Sequence, residues 1–248
     1  MAPPQDAALA GLGLPPDRLD RLSQTVGMPV WSGGAPGQTA PDRVFLLMGP
    51  APEDAIDDRF AQSYAAWIEV ADYADDEVIH LIDEAMSADI FASLTTHTAG
   101  GLDLAGRMVG AIARHRALPQ VKREDMELAL HEAITNAVVH GNLQVDGMKG
   151  LSVSALDRFA ADLTARMADP AFASRRVEVL ISFQDQGAVV EITDQGIGFR
   201  GRRKSKPATT TTTTTAKASG RGLHLIAAIA QSYELLDNGR RIRMRFAL

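Results

Sequence analysis

The sequence contains no cysteine, few aromatic residues and no long apolar run. The absence of cysteine excludes disulfide scaffolds, thiolate zinc sites and cysteine nucleophiles. No stretch approaches the roughly 20 apolar residues of a membrane-spanning helix, and the N-terminal residues lack the basic start and apolar run of a signal peptide. We therefore expect a cytoplasmic protein that makes no membrane contact.

The chain also carries little net charge, −6 in 248 residues. A near-neutral balance argues against direct binding of nucleic acid. The average hides a division, because residues 51–90 hold twelve acidic residues and one arginine, whereas residues 200–248 hold eleven basic and two acidic residues. We expect these segments to attract each other, within one molecule or between subunits, with a strength that falls as salt rises.

The N-terminal third divides into two parts. Residues 1–43 are rich in proline, glycine and alanine, which predicts a largely irregular segment with room for a short helix at residues 17–26. Residues 44–89 alternate between two apolar strand candidates, at 44–49 and 65–71, and two helical patterns, at 54–64 and 76–88. This order predicts a small acidic α/β unit.

Residues 90–248 show a different order of elements. Residues 91–96 are predicted as an edge strand, followed by helices at 102–116 and 122–139 and a further helical stripe around Phe159. Two hairpin patterns come later, with a helix at 222–231 between them. Helices followed by mainly antiparallel strands predict an α+β fold, a two-layer sandwich with helices on one face of a mixed sheet.

The predicted helix at 122–139 holds the first group of candidate functional residues. Glu132, Asn136 and His140 follow one another at intervals of four, so an α-helix would place a carboxylate, an amide and an imidazole along one face. A carboxylate can deprotonate an attacking hydroxyl, an amide oxygen suits Mg²⁺, and an imidazole can donate to phosphate. The spacing alone is equally consistent with a solvated helix face.

Two glycine motifs follow. Asp194, Gly196 and Gly198 come directly after a predicted strand, where a carboxylate can accept from an exocyclic amine and glycine allows a planar ligand to approach the backbone. Gly220 and Gly222 precede the helix at 222–231, whose N-terminal amides form an anion site. Each motif is weak by itself, because glycine turns are common at both places.

The order and spacing of the three motifs together resemble the N, G1 and G2 boxes of the GHKL superfamily, the histidine kinase-like ATPases. The resemblance covers residues 90–248 and is greatest to the anti-sigma-factor serine kinases, whose N box ends in histidine, as here at His140. It implies a Bergerat-type ATP-binding fold that binds ATP and Mg²⁺.

Individual roles follow from this resemblance. It implies that Asn136 binds Mg²⁺ and that Glu132 is the general base or the residue that orients water. It also implies that Asp194 binds the adenine amino group and that Gly196 and Gly198 shape the base pocket. It further implies that the backbone amides of four residues face the phosphates, with His140 nearby. These residues are Gly220, Arg221, Gly222 and Leu223.

The sequence departs from the family in two segments. Residues 199–220, which correspond to the mobile lid of the family, begin with Arg200 where an acidic residue is common, and they contain five basic residues between 200 and 206 and seven consecutive threonines. The basic residues can neutralise ATP phosphates, bind an acidic partner or form a solvated loop. An insertion at 143–174 is expected to cover a sheet edge or form a homodimer contact.

Three functions fit these features. The first is a kinase that phosphorylates a serine or threonine of a small antagonist protein and sequesters a sigma factor in bacterial signal transduction. A receiver-type regulator is a further candidate partner. The second is a histidine kinase module that acts on a separate protein, since His115 has only a faint likeness to an acceptor motif. The third is an interaction module that senses ATP without catalysis.

The acidic unit at 44–89 is similar to a truncated, degenerate receiver, but Gly49 and Pro50 follow the strand where a phosphoacceptor aspartate would be needed. A docking unit and a plain structural extension are both open interpretations. Our hypothesis is that this unit competes with ATP phosphates for the basic lid.

Overall fold

The computed structural model describes residues 7–33, 41–50, 53–60, 64–70, 73–147, 152–198 and 221–248. These residues contain one eight-stranded sheet with the strand order β1-β2-β3-β4-β5-β6-β8-β7. The strands are β1 (Ala7–Leu12), β2 (Arg43–Met48), β3 (Ala66–Glu69), β4 (Ile90–Thr95), β5 (Arg176–Gln184), β6 (Gly187–Asp194), β7 (Ser232–Leu236) and β8 (Arg241–Ala247).

The helices alternate with the strands in the N-terminal third, most of the later ones lie between β4 and β5, and the last follows β6. They are α1 (Pro16–Val26), α2 (Glu53–Phe60), α3 (Asp75–Met86), α4 (Thr96–Gly101), α5 (Leu104–His115), α6 (Gln120–Thr135), α7 (Val153–Ala168), α8 (Pro170–Ala173) and α9 (Arg221–Ile229). No helix of the described residues is long and apolar enough to cross a membrane.

Strand β4 joins the two halves of the sheet. It pairs in parallel with β3 and antiparallel with β5, and all six of its residues are buried. The prediction that this segment is an edge strand was therefore wrong. A strand that is covered on both faces is apolar along its whole length, as this one nearly is, and that pattern marks a central position.

Side chains on alternate residues divide the core between the two faces of the sheet. On one face α1 and α3 pack against Phe45, Ile68 and Phe91. On the other face lie α2, α5, α6 and α9, with Leu46 and Val179 among the strand residues beneath them. Beyond β5, the buried apolar strand residues all belong to the second cluster, with one exception, Val189. The α+β sandwich predicted for this part of the chain is confirmed.

The N-terminal segment is more regular than its composition predicts. The helix expected at 17–26 is present as α1, but residues 7–12 form β1, where an irregular chain was expected. Alanine and glycine have low β-propensity, and tertiary context overrides it here. Four residues of β1 are buried, and the strand pairs with β2 along its whole length.

The carboxyl ends of β1 and β2 are closed by their own backbones. A Cβ added to Gly13 would lie 2.6 Å from the carbonyl oxygen of Pro50, and one added to Gly49 would lie 2.6 Å from the oxygen of Gly13. Backbone atoms therefore fill the space between the carboxyl ends of these two strands. The boundary at residue 89/90 falls between two paired strands, β3 and β4, and the division into domains stays a prediction.

One edge of the sheet carries the polar residues that matter below. Thr95 at the end of β4 pairs with Arg176 at the start of β5, and Val177 pairs with Asp194 at the end of β6. Glu69, at the end of β3, accepts hydrogen bonds from Thr95. These residues form a row along one edge, and the candidate site lies beside it.

Candidate functional site

The helix that carries Glu132 and Asn136 changes its hydrogen bonding at its C-terminal end. α6 continues directly into a π-helical turn, Asn136–Asn142, in which the Leu143 amide donates to the Val138 carbonyl at 2.9 Å. The wider turn means that the α-helical spacing applies from Glu132 to Asn136 but not onward to His140. Single π-helical turns occur frequently at functional sites.

Gly222, in the first turn of α9, lies against both of these side chains. A Cβ added to Gly222 would be 2.6 Å from Oε2 of Glu132 and 3.3 Å from Nδ2 of Asn136. The start of α9 thus brings helical N-terminal amides, which attract anions, next to a carboxylate and an amide. Only glycine allows this approach without moving the carboxylate.

Asp194 forms the other end of the site. Its side chain is almost fully buried, and its Oδ1 accepts from the Gly196 amide at 2.8 Å. Burial raises the pKa of Asp194 to about 6, against the opposing effects of that hydrogen bond and of Arg240 and Arg175. The carboxylate is poised to gain a hydrogen-bond donor, because it has lost much of its hydration.

Glycine surrounds this carboxylate. A Cβ on Gly141 would lie 2.4 Å from Cγ of Asp194, and a Cβ on Gly196 would lie 2.1 Å from the carbonyl oxygen of Gly141. Gly198 has φ +80° and touches the backbone of Asn238 in the β7–β8 turn. The turn after β6 is therefore packed between the π-helical turn and that hairpin.

Comparison with known protein families identifies the domain that contains this site. A family model described as the histidine kinase-like ATPase domain matches residues 96–246, more than half of the chain. The chain belongs to this family. No curated protein matches it. The superfamily that the three motifs predicted is confirmed.

Within this ATPase domain the predicted residues fall into two groups. Glu132 and Asn136 meet Gly222 at one end, and Asp194 meets Gly196 at the other. His140 is exposed, and its Nδ1 donates to the Val145 carbonyl at 2.7 Å.

The remaining predicted residues belong to the segment before α9 and to the helix itself. Leu223 is half-buried against the core beneath α9. Arg221 begins α9, and its backbone is described. Gly220 and the predicted lid, 199–220, lie outside the described residues.

The residues present fit a magnesium nucleotide. The close contacts at Gly222 with Glu132 and Asn136, and at Gly141 and Gly196 around Asp194, are ones that any Cβ would disturb. No group of three or more His, Cys, Asp or Glu that could hold a metal occurs among the described residues. Mg²⁺ usually keeps several waters and takes few protein ligands besides substrate phosphates, so a single amide oxygen, that of Asn136, would be enough to hold it.

Sequence reasoning missed the residues that hold the site together. Asn142 is fully buried and bonds to the turn after β6, and Arg176 is buried beside it. Asn142 comes just after the N box, and Arg176 comes just before the first hairpin pattern. A polar residue in a glycine-rich stretch, such as the one that follows the N box, is normally solvated. The adjacency of Gly141 and Asn142 to the N box was the available signal.

Other predicted features occupy the periphery. α7, within the insertion at 143–174, packs through Phe159 and Met167, and Met167 lies against Gly100 of α4. The homodimer contact stays a prediction. His115 lies 5.5 Å from the Phe183 ring, and burial lowers its pKa. A cavity of about 330 Å³ lies beside the exposed face of α6 and is lined by Glu124, Glu127, Leu128 and His131.

Proposed function

We propose that this protein is an ATP-dependent protein kinase of the anti-sigma-factor type, which phosphorylates a serine or threonine of a partner protein in bacterial signal transduction. One observation carries the proposal: the close approach of Gly222 to Glu132 and Asn136. It assembles an anion-binding helix end, a carboxylate and an amide in one place, which are the parts that phosphoryl transfer requires.

The base end supports the choice of ATP. Asp194 is a buried carboxylate with a single described hydrogen bond, from Gly196. An ionised carboxylate has several acceptor positions, so capacity remains for the 6-amino group of adenine. Gly141 and Gly196 keep side chains away from this position.

The chain's own residues have separate tasks in this mechanism. Bound Mg²⁺ and ATP supply the transferable phosphoryl group and offset its negative charge. Glu132 accepts the proton of the partner's hydroxyl group on its carboxylate, and the Asn136 amide oxygen holds the metal. The backbone amides at the start of α9 face the phosphates, and Asp194 orients the base.

The nature of the partner rests on the resemblance of the N box, which ends in His140, to that of anti-sigma-factor kinases. A sigma factor, its antagonist and a receiver-type regulator are the partners we propose. Phosphorylation of a partner's histidine and nucleotide sensing without transfer are the competing outcomes of the same experiment.

The test is phosphoryl transfer from γ-labelled ATP with Mg²⁺ to purified antagonist, sigma-factor and receiver proteins of the same host. We expect acid-stable label on an antagonist with the wild-type protein and at least a 100-fold slower transfer with Glu132→Gln. His131→Gln is the matched control, because His131 is the exposed neighbour on the same helix.

Each other outcome identifies a competing function. Acid-labile, base-stable label on a partner would replace this proposal with a histidine kinase. Tight ATP binding with no transfer to any partner would replace it with a nucleotide sensor.

A further inference from the structure

Asn142 is a fully buried amide that bonds three separate segments together. Its Nδ2 donates to Thr96 Oγ1 and to the Arg176 carbonyl, both at 2.8 Å. Its Oδ1 accepts from the backbone amide of Gln195 at 2.7 Å. The start of α4, the start of β5 and the turn after β6 are thereby fixed to the end of the π-helical turn.

The partners of Asn142 are themselves held. The Gln195 side chain accepts from the Arg176 amide at 2.9 Å, so Gln195 is bonded through both its backbone and its side chain. The Asn142 carbonyl accepts from Nη1 of Arg175 at 2.6 Å. A buried polar group is costly unless it is bonded, and here the amide oxygen and both amide hydrogens of Asn142 are used.

The residue bonded by Asn142 lies between Asp194 and Gly196. Gly196 donates to the Asp194 carboxylate, so the position of the turn sets the direction of that carboxylate. The Gly141 carbonyl touches Gly196 from the same side. A shift of the Gln195 amide therefore moves the one group that would recognise the base.

We propose that Asn142 is a positioning residue for base specificity: it aligns the Asp194 carboxylate with the 6-amino group of adenine through the Gln195 amide. This inference rests on the proposed function, because it requires that Asp194 bind the base. Asn142 acts through the turn and does not itself contact the nucleotide.

The test compares the dissociation constants of ATP and ITP, which carries an oxygen in place of the 6-amino group. We expect the wild-type protein to prefer ATP and Asn142→Ala to lose this preference by roughly tenfold or more, the scale of a hydrogen bond to a charged group. Both nucleotides still bind through their phosphates. Thr96→Val removes one acceptor of the Asn142 amide and should reduce the preference by less.

The matched control is Leu22→Ala, which leaves a cavity under α1 on the opposite face of the sheet. It should lower the unfolding temperature without changing the ratio of the two dissociation constants, which separates positioning from loss of stability.

The outcomes distinguish this inference from the function on which it rests. A wild-type preference that Asn142→Ala retains would overturn the positioning role alone. If Asn142→Ala does not fold, an unchanged preference in Thr96→Val overturns it. Equal affinity of the wild-type protein for ATP and ITP would overturn the base contact of Asp194 as well.

Discussion

The backbone of Gly222 lies against the carboxylate of Glu132, so close that a Cβ at residue 222 would be 2.6 Å from Oε2. The two residues are far apart in sequence and belong to different motifs. Their contact brings the start of α9 to the C-terminal end of α6, and the two helices pack against each other. The proposed binding of phosphate at the start of α9 depends on this close contact.

Gly222→Ala should therefore weaken binding of ATP and leave binding of adenosine almost unchanged. The new methyl group displaces Glu132 or the start of α9, which affects the phosphate end only. We expect at least a tenfold higher dissociation constant for ATP by calorimetry. Gly110→Ala is the control, because its nearest neighbour would be the flexible end of Arg114 at 4.0 Å. Equal losses for ATP and adenosine would contradict this division of the site.

Asp194→Asn should stabilise the protein at neutral pH. Burial raises the pKa of Asp194 from 3.8 to about 6, so the folded protein binds a proton that the unfolded chain releases. The resulting stability is present below about pH 3.8 and is lost as pH rises through about 6. The neutral amide avoids that loss, and we expect a gain of roughly 1 to 3 kcal/mol at pH 7 that shrinks toward pH 4.

Urea unfolding of both proteins between pH 4 and 8 checks this prediction. A difference in unfolding free energy that does not depend on pH would show that the Asp194 carboxyl titrates normally in the folded state. The same variant should bind ATP more weakly, so stability and binding change in opposite directions.

Arg176→Lys should destabilise the protein although it preserves the charge. The guanidinium is fully buried, and it donates through Nε to Ser93 Oγ and through Nη2 to the carbonyls of Ser93 and Glu69. A lysine ammonium cannot reproduce that planar fork. We expect a loss of about 2 to 4 kcal/mol in unfolding free energy. Arg245→Lys on the exposed part of β8 should change it by about 0.5 kcal/mol at most. Equal effects of both changes would contradict the role of the buried fork.

Much of the fold could be predicted from the sequence because apolar residues recur at regular intervals in its helices and strands. Strand β2 and helices α1, α3 and α6 begin within three residues of their predicted positions. β1 was missed because an alanine-rich strand gains its stability from its neighbour β2, which local patterns do not show. β4 was misplaced for the same reason, since pairing with β3 is a tertiary property.

The sequence predicted the three motifs of the candidate site but not the contacts that connect them. Spacing placed Glu132 and Asn136 on one helix face, but it did not show the π-helical turn after Asn136 or its contact with the turn at 194–196. Asn142 looked like a loop residue, because only the three-dimensional arrangement of Thr96, Arg176 and Gln195 gives its amide partners.

The hypothesis that the acidic unit competes with ATP phosphates for the basic segment at 200–206 can be tested by deleting the acidic unit or by changing single charges on its surface. Removing the first three strands would strip β4 of its neighbour β3, so a surface substitution is preferable. Asp76 is exposed in the first turn of α3, and Asp83 is exposed two turns further along. Asp76→Lys should lower the dissociation constant of ATP about twofold at low salt and leave it unchanged at high salt.

Asp83→Lys should have a smaller effect, because α3 starts near the sheet edge that carries Asp194 and runs away from it. A dissociation constant that Asp76→Lys leaves at the wild-type value at every salt concentration would refute the competition.

The central claim is that a nucleotide binds between the end of α6, the turn after β6 and the start of α9. Calorimetric titration of Mg²⁺ and ATP into the wild-type protein and Gly141→Ala tests it most directly, because a Cβ at residue 141 would be 2.4 Å from Cγ of Asp194. We predict saturable binding to the wild-type protein and at least tenfold weaker binding to the folded variant. Equal binding to both proteins, or no binding to the wild type, would contradict the account.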